Sequence, residues 1–372
     1  MRASVLIASL CALATLVLAA APVRAAPAPP SWLRDLQHAG CYRPGQMTLR
    51  EGPHPALAFV DYCSKAPRPP GASALTLVFV DLETGVARVI RIPDYNVGGL
   101  GFGPDGVLRW TGIGSATEWS GPWIIRAAEY RDGEATSRDL GSISMSNMSW
   151  PNQMQGDGCR LATWRDANDT RAPTFGRILA EGVQLQDGVA ITGAPRFWWP
   201  PAHAFVLRQA NGDYVTADCH GVLGRPDPAL SDQLNRFDRP DLVYRTLPGW
   251  RTFIATGSSG AVVLSMDGPG RRLGPYNLRS TLVVSPMDVT DGPPEADELE
   301  WVALLPGERF VGRVGADCLR LYDGRTGDEL GQQCSKTLSK LFPTTFGGGR
   351  LMTFDIKRGL QPVDLDMTAF HR

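Results

Sequence analysis

Residues 75–92 read LTLVFVDLETGVARVIRI, and this stretch carries the local signals of a tight β-hairpin. Two apolar runs with strong strand propensity flank the five residues DLETG. The side chain of Asp81 can bond backbone N–H groups two residues ahead, and Gly85 supplies the positive φ that closes the turn. The same Asp-x-x-x-Gly spacing recurs at residues 323–327 and 355–359, each time after an apolar run. The hairpin is therefore a repeated unit of this chain.

A second repeated unit is clearest at residues 100–110, LGFGPDGVLRW, where an apolar strand ends at Pro-Asp-Gly and another strand follows. Variants of this unit occur at residues 156–164, 304–311 and 346–354. The two units alternate along the chain, which predicts four-stranded antiparallel sheets built from neighbouring hairpins.

The hairpin turns and their looser equivalents recur at a mean interval of about 46 residues. Repeats of this length with four strands each are typical of a β-propeller. The predicted fold class is therefore all-β, with one β-propeller domain over residues 45–372, seven blades favoured and six possible. A pair of β-sandwiches or an irregular all-β fold stays open as the alternative. Residues 220–241 and 283–299 are expected to be insertions between strands, the first with a short helix from Leu230 to Phe237 that Asp227 precedes.

The strings LGFGPDGVLRW and FVDLETGVARVI resemble the repeats of bacterial propellers of the YVTN and WD-repeat type, in pieces over residues 75–366. The sequence lacks the Gly-His and Trp-Asp signature of eukaryotic WD repeats. The resemblance implies a propeller fold. Because such propellers include both binding proteins and enzymes, it assigns no catalytic residue and leaves the cofactor unknown.

The first 25 residues have the pattern of a secretory signal peptide, with Arg2, an apolar run over residues 5–21 and a small-x-small cleavage motif that ends at Ala25. An uncleaved membrane anchor is the alternative, since the run is close to the shortest length that spans a bilayer. The predicted organisation is a signal peptide over residues 1–25, an N-terminal extension over 26–44 and then the propeller. We expect a periplasmic or secreted protein with no membrane span after signal cleavage.

The charge of the chain argues against two classes of partner. Its 372 residues include 37 basic and 38 acidic side chains, for a net charge of −1. A balanced charge gives no general attraction to nucleic acid or to an anionic membrane. The expected partner is a protein, a peptide or a glycan.

The cysteines also favour export, because six of the seven lie beyond the signal peptide and none forms a Cys-x-x-Cys pair. Six cysteines allow fifteen pairings, and the hairpin around residues 323–327 favours one of them by placing Cys318 opposite Cys334. The other two pairs are less constrained and stay open. The expected disulfides are, in decreasing order of support, Cys318–Cys334, Cys41–Cys63 and, by elimination, Cys159–Cys219.

Three candidate binding residues flank one predicted hairpin: His203 before it, and Asp218 and His220 after it. Two histidines with a carboxylate suggest an acid–base or metal site. The alternative is a pair of unrelated loop histidines, and no metal site is predicted. Six carboxylates over residues 288–300 are interpreted as a solvated loop, since they lack a recognisable spacing of calcium ligands.

Two further candidates, Trp198 and Trp199, belong to the most unusual short string of the chain, FWWPP at residues 197–201. Exposed tryptophan rings stack well on sugars and on planar groups, which suggests a binding surface. The alternative is that these tryptophans pack between blades.

Two functions of different classes compete. The first is an exported propeller scaffold that binds a protein, peptide or glycan through loops at one mouth of the ring. The alternative is a propeller enzyme, such as a metal-assisted hydrolase, a lactonase or a lyase, with a site assembled in the central channel. The catalytic residues of such an enzyme are unknown from the sequence, because each blade would contribute one residue and no linear motif would result.

Overall fold

The structure is a computed structural model of the chain. It describes residues 31–41, 47–50, 54–66, 75–103, 105–117, 120–144, 148–149, 153–166, 175–247, 249–257, 260–273, 299–305, 307–314, 318–334, 342–347, 350–355, 359–363 and 370. The predicted signal peptide lies outside these residues, as does nearly all of the predicted insertion at 283–299 and of the acidic segment at 288–300.

Seven antiparallel sheets make up the described strands, and each is formed by one contiguous stretch of chain. Six of them contain a path of four strands, and the last has three. The third sheet along the chain has a fifth segment, because residues 148–149 and 153–155 both pair with the strand at residues 159–166, at opposite ends of that strand. The predicted all-β class and the four-stranded antiparallel blades are thus confirmed. Six blades have four strands, the lower of the two predicted numbers, and the three-stranded sheet 7 follows them.

The strands of sheets 1 to 3 are β1 (Met47–Arg50), β2 (Ala56–Asp61), β3 (Thr76–Asp81), β4 (Val86–Arg91), β5 (Asn96–Phe102), β6 (Leu108–Thr117), β7 (Ser120–Arg131), β8 (Glu134–Ile143), β9 (Met148–Ser149), β10 (Gln153–Gln155), β11 (Cys159–Asp166), β12 (Phe175–Ala180) and β13 (Val189–Thr192). Those of sheets 4 and 5 are β14 (Ala194–Trp199), β15 (Ala204–Arg208), β16 (Tyr214–Ala217), β17 (Val222–Gly224), β18 (Val243–Arg245), β19 (Thr252–Gly257), β20 (Gly260–Ser265) and β21 (Arg271–Arg272). Those of sheets 6 and 7 are β22 (Leu299–Leu305), β23 (Arg309–Val314), β24 (Cys318–Asp323), β25 (Glu329–Cys334), β26 (Phe342–Gly347), β27 (Arg350–Asp355) and β28 (Gly359–Val363). The described helices are α1 (Ser31–His38), α2 (Pro228–Phe237) and two 3-10 turns, Leu185–Asp187 and Pro200–Ala202.

The first strands of the sheets lie next to one another, which arranges the sheets as a ring. β1 contacts β5, β5 contacts β10, β10 contacts β14, and β14 contacts β18. β22 contacts β26, and β26 contacts β1, so that the last sheet meets the first. Between sheets 5 and 6, the buried side chains of Ile254 and Phe310 belong to one apolar cluster. Sheets that pack radially around a centre in this way define a β-propeller.

The turn chemistry explains why the hairpins form where the sequence predicts them. The Asp81 carboxylate accepts hydrogen bonds from the N–H groups of Glu83 and Thr84, both at 2.9 Å. Gly85 has a φ of 71°, a value that glycine adopts without strain. The copy at residues 323–327 joins β24 to β25 in the same way, whereas the copy at 355–359 joins the second strand of sheet 7 to the third. The sequence repeat is therefore not strictly in phase with the blades.

Helix α1 closes the outer seam between the first and last sheets. It contacts both β4 of sheet 1 and β28 of sheet 7. Trp32 and Leu36, one helical turn apart, are buried in the same cluster as Val78 and Val80 of sheet 1. The helix thus lies beside β28, the last described strand of sheet 7.

All three expected disulfides are present: Cys41–Cys63, Cys159–Cys219 and Cys318–Cys334. The first ties the residues that follow α1 to the connection between β2 and β3. The third joins residues that are direct partners in the β24–β25 register, as the hairpin predicts.

Helix α2 lies in the predicted insertion at residues 220–241, between sheets 4 and 5, but the start of that segment, Val222–Gly224, is the fourth strand of sheet 4. Leu230, Leu234 and Phe237 are buried and pack against sheet 5 in one apolar cluster. Asp227 is the N-cap, since its side chain accepts a hydrogen bond from the N–H of Leu230 at 2.9 Å. Pro at the first helical position has no N–H to satisfy there.

We expect Asp227→Ala to lower the free energy of unfolding by about 1 kcal/mol, because the N-cap acceptor is lost. The measurement is a urea titration of the purified protein. Asp232→Ala, at an exposed position of the same helix, is the matched control and should change the free energy by less than about 0.5 kcal/mol. Equal effects of the two substitutions would contradict a capping role.

Candidate functional site

One end of the ring carries most of the tight turns. In an antiparallel meander, the connections between strands 1 and 2 and between strands 3 and 4 leave the same end of the sheet. We name this end the hairpin face. Its described turns include residues 81–86, 105–107, 131–134, 156–158, 200–203, 218–221, 266–270 and 323–328.

A cleft of about 630 Å³ opens on the hairpin face between sheets 1 and 2, and we name it the sheet 1–2 cleft. Its volume lies within the range of pockets that hold drug-sized ligands. Apolar and aromatic side chains line part of it: Phe79, Val86, Val107, Leu108 and Tyr130. Three cations and three anions line the rest: Arg50, Arg88, Arg131, Asp81, Asp105 and Asp132.

Arg50 joins the two sheets at the edge of this cleft. Its Nη1 donates to the backbone carbonyl of Gly106 in sheet 2 at 2.5 Å, and its Nε donates to the carbonyl of His54 at 2.7 Å. The guanidinium also lies over the ring of Phe102, 5.1 Å from its centroid. These contacts hold Arg50 in place. The other charged side chains of the cleft are therefore the ones that can contact a ligand.

Asp105 stays ionised at any physiological pH. Both of its oxygens accept hydrogen bonds from Arg109 at 2.7 Å. This pairing lowers the pKa of Asp105 to about 2. The backbone N–H of Thr84 likewise holds the pKa of Asp81 below its usual range. The cleft thus presents fixed negative charges as well as positive ones.

Arg88 reaches across the cleft from β4. A Cβ built on Gly133 of sheet 2 would lie 2.5 Å from its Nη1, so the guanidinium rests directly on the backbone of the β7–β8 turn. Arg88 is exposed, whereas Tyr130 beneath it is buried, and burial raises the pKa of the Tyr130 phenol. Arg88 is exposed and, unlike Arg131, forms no ion pair with a carboxylate of the described residues.

The predicted histidine site falls on two turns of the hairpin face, and Asp157 lies beside both, since the Sγ of Cys219 lies 3.5 Å from its backbone carbonyl oxygen. His203 pairs with Asp157 rather than Asp218, at 3.3 Å, and both side chains are exposed. The carboxylate of Asp218 accepts from the backbone N–H groups of His220 and Gly221, so it stabilises the β16–β17 turn. These residues therefore lie in turns of the hairpin face, Asp218 has a turn-forming contact, and the binding site itself stays a prediction.

The two predicted tryptophans pack inside the protein. Trp199 is 3% exposed and stacks on Phe253 of sheet 5, with 5.8 Å between the ring centroids. Trp198 is half-buried and meets Phe205 edge-on at 4.7 Å. The alternative of packing between blades describes both positions, and neither offers an open ring face.

A second cleft, of about 580 Å³, lies between sheets 3 and 4. It is lined largely by apolar groups, among them Trp164, Phe175 and Val222. Phe175 and Val222 are about half exposed, so this rim presents apolar surface to solvent.

The sequence reasoning missed a buried polar network around Asp238, where sheet 4 meets the α2 insertion. Its carboxylate accepts from Arg196 at 2.5 Å and from the hydroxyls of Tyr214 and Tyr244, each at 2.6 Å. Arg196 also donates to three backbone carbonyls of residues 239–242. A second such pair joins the buried Asp94 to Arg126 at 3.2 Å, and burial raises the pKa of Asp94. No linear motif marks either network, because the partners are more than 20 residues apart except for Tyr244.

The described residues bring one set of possible metal ligands together, Cys41, Asp61 and Cys63. The two cysteines are bonded to each other, so they offer no thiolate to an ion. The alternative of an enzyme with a site in the central channel stays a prediction.

The fold and the cleft define a β-propeller with a mixed polar and aromatic site between two of its blades. No family model and no curated protein matches the chain. Solved propellers resemble it at 9–10% sequence identity. Sqt1 of Saccharomyces cerevisiae aligns over 90% of this chain and 85% of its own, with a TM-score of 0.44 and 10% identity. A putative 6-phosphogluconolactonase from Bacteroides fragilis aligns over 81% of this chain and 89% of its own, with a TM-score of 0.47 and 10% identity. The β-propeller domain of the Trilobed protease from Pyrococcus furiosus aligns over 87% and 93%, with a TM-score of 0.48 and 9% identity.

No helix among the described residues has both the length and the apolar character that crossing a membrane requires.

Proposed function

We propose that this chain is an exported propeller that binds an extended peptide segment of a partner protein in the sheet 1–2 cleft. The observation that carries the proposal is the composition of the cleft wall. Cations and anions line this cleft together with apolar and aromatic side chains, within about 630 Å³. A peptide presents carbonyls, N–H groups and side chains together, so a wall of both charge signs and apolar surface is complementary to it.

A peptide is favoured over a glycan because sugar recognition commonly uses an open aromatic ring. Tyr130 is only 6% exposed, and Trp199 is buried. The arginines and aspartates of the cleft, by contrast, are already oriented by backbone contacts and ion pairs. Such preorganisation reduces the conformational entropy that the protein loses when it binds a flexible ligand.

Export to the periplasm or beyond is supported by the disulfides. Three bonds join all six cysteines beyond residue 25. Disulfides persist in oxidising compartments and are rare in a reducing cytosol. The predicted signal peptide over residues 1–25 supplies the route.

The test is selection of a phage-displayed library of random dodecapeptides on the oxidised protein, with a glycan array in parallel. The affinity of an enriched synthetic peptide is then measured by fluorescence polarisation. We expect Arg88→Ala to weaken binding at least about tenfold, because a charge-assisted contact is lost.

Arg325→Ala is the matched control, since Arg325 is an exposed arginine on the hairpin face of sheet 6. It should leave the affinity unchanged. Equal losses in the two variants, or binding to glycans alone, would contradict the proposal.

A further inference from the structure

The gap between sheets 2 and 3 holds a half-buried arginine that forms no ion pair with any residue the structure describes. Arg160 lies on β11 between Cys159 and Leu161, whose side chains pack toward sheet 4 with Phe205. Alternation along a strand therefore turns Arg160 toward sheet 2. Its partner in the β11–β12 register, Leu179, packs against sheet 2 and confirms this orientation.

Two arginines of sheet 2 face the same gap. Ile125 and Ala127 of β7 pack toward sheet 3 in the cluster that contains Leu179. Arg138 is the direct partner of Ala127 in the register, and Arg109 is the partner of Glu129, two residues further along the same face. Cations thus approach Arg160 from β6 and β8 of sheet 2.

Arg160 differs from the other buried arginines in its contacts. Arg109, Arg126 and Arg196 each pair with at least one aspartate. The Nε of Arg160 is buried and has no hydrogen-bond partner, which is also true of Arg196 and Arg208. Arg196 nevertheless pairs with Asp238 and Arg208 lies beside the hydroxyl of Tyr214, whereas no carboxylate of the described residues forms an ion pair with Arg160. Burial, together with the charges of Arg109 and Arg138, lowers the pKa of Arg160.

The charges of Glu181 and Glu129 act to raise the pKa of Arg160, but neither carboxylate forms an ion pair with it. Glu129 is taken up by Arg109 and Arg131, at 3.7 and 3.6 Å. Glu181 is exposed in the turn after β12. Burying the Nε–H of Arg160 without an acceptor is costly, and arginine binds planar or tetrahedral oxyanions through two parallel hydrogen bonds.

We propose that Arg160 and Arg138 form a binding site for an oxyanion, such as a phosphate, sulfate or carboxylate group, between sheets 2 and 3, beside Arg109, whose guanidinium is already paired with Asp105. The site lies on the opposite face of sheet 2 from the sheet 1–2 cleft. It does not depend on the proposed peptide binding, and each can fail without the other.

The test is thermal unfolding of the full disulfide-bonded chain in sodium phosphate, sulfate or acetate, against sodium chloride at the same ionic strength. A ligand that binds only the folded state raises the melting temperature with its concentration. We expect phosphate or sulfate to stabilise the protein, with acetate as the arm that reports a carboxylate ligand. The dissociation constant derived from this dependence should rise at least about tenfold in Arg160→Met.

Arg177→Met is the matched control. Arg177 lies on the same face of the same sheet, but its Nη1 already donates to the carbonyl of Gly188 at 2.7 Å. This variant should keep the anion effect. Arg160→Lys, which retains the charge without the planar fork, should bind with intermediate affinity and guards against misfolding of the methionine variant.

Stability in chloride alone provides a second readout. Because methionine removes an unpaired, half-buried charge, Arg160→Met should then be at least as stable as the native protein. The proposal is overturned if none of the three anions stabilises the protein beyond chloride, or if Arg160→Met retains the full effect.

Discussion

Replacing Asp238 with alanine should lower the free energy of unfolding by about 3–5 kcal/mol, the effect of removing one partner from a buried ion pair. The Asp238 side chain is fully buried, and its two oxygens satisfy Arg196, Tyr214 and Tyr244. Alanine would leave a buried guanidinium and two phenols without their acceptor. The measurement is urea unfolding followed by tryptophan fluorescence.

The matched control is Asp267→Ala, which removes an aspartate from an Arg–Asp pair with both side chains more than half exposed. Exposed pairs contribute about 0–1 kcal/mol, so its effect should be several-fold smaller. A similar loss in both variants would show that the network around Asp238 is not exceptional.

The phenols of this network are donors at every physiological pH. Burial, together with the nearby Asp238 carboxylate, raises the pKa of Tyr214 to about 12 and that of Tyr244 well above its usual range. Tyr214→Phe and Tyr244→Phe should each cost less than Asp238→Ala, because each removes a single hydrogen bond. A double-mutant cycle between Asp238 and Arg196 measures their coupling directly.

Loss of the Cys159–Cys219 disulfide should lower the free energy of unfolding by about 4 kcal/mol, the largest effect of the three bonds. Its cysteines are 60 residues apart, and a cross-link restricts the unfolded chain more when it closes a longer loop. Cys159→Ala with Cys219→Ala removes the bond without burying a hydroxyl at the core position 159.

The comparison is the double alanine variant of Cys318 and Cys334, which are only 16 residues apart. Its loss should be about 3 kcal/mol by the same loop argument. Both variants are measured by urea unfolding under oxidising conditions. The loop argument fails if the shorter bond proves to be the more stabilising one.

Local chemistry in the sequence was enough to find the hairpins. Asp81 and Gly85 interact with residues no more than four positions away, so the five letters DLETG contain every group that makes the turn. The register of Cys318 with Cys334 followed from the same kind of turn, since a short hairpin determines which residues lie opposite. The third copy, at residues 355–359, shows the limit, because a local signal does not state which connection of a blade it occupies.

The candidate site was only partly within reach of such reasoning. Asp105 was visible in the Pro-Asp-Gly unit, but its function as a wall of the cleft depends on sheet 1 lying beside sheet 2. Trp198 and Trp199 have the composition of a binding surface, yet they are covered by neighbouring strands and sheets. Burial of a side chain depends on which sheets meet, and this information is spread over the whole chain.

Strands, turns and the compartment implied by the cysteines thus follow from groups that are close in sequence or from composition. The contacts that matter most for stability and binding join residues that are far apart in sequence. Arg50 contacts Gly106 across 56 residues, and Arg196 contacts Asp238 across 42. Each of these contacts joins one sheet of the ring to the next structural unit. These partners meet because neighbouring sheets pack radially. Their packing brings facing sides of the sheets within hydrogen-bond distance.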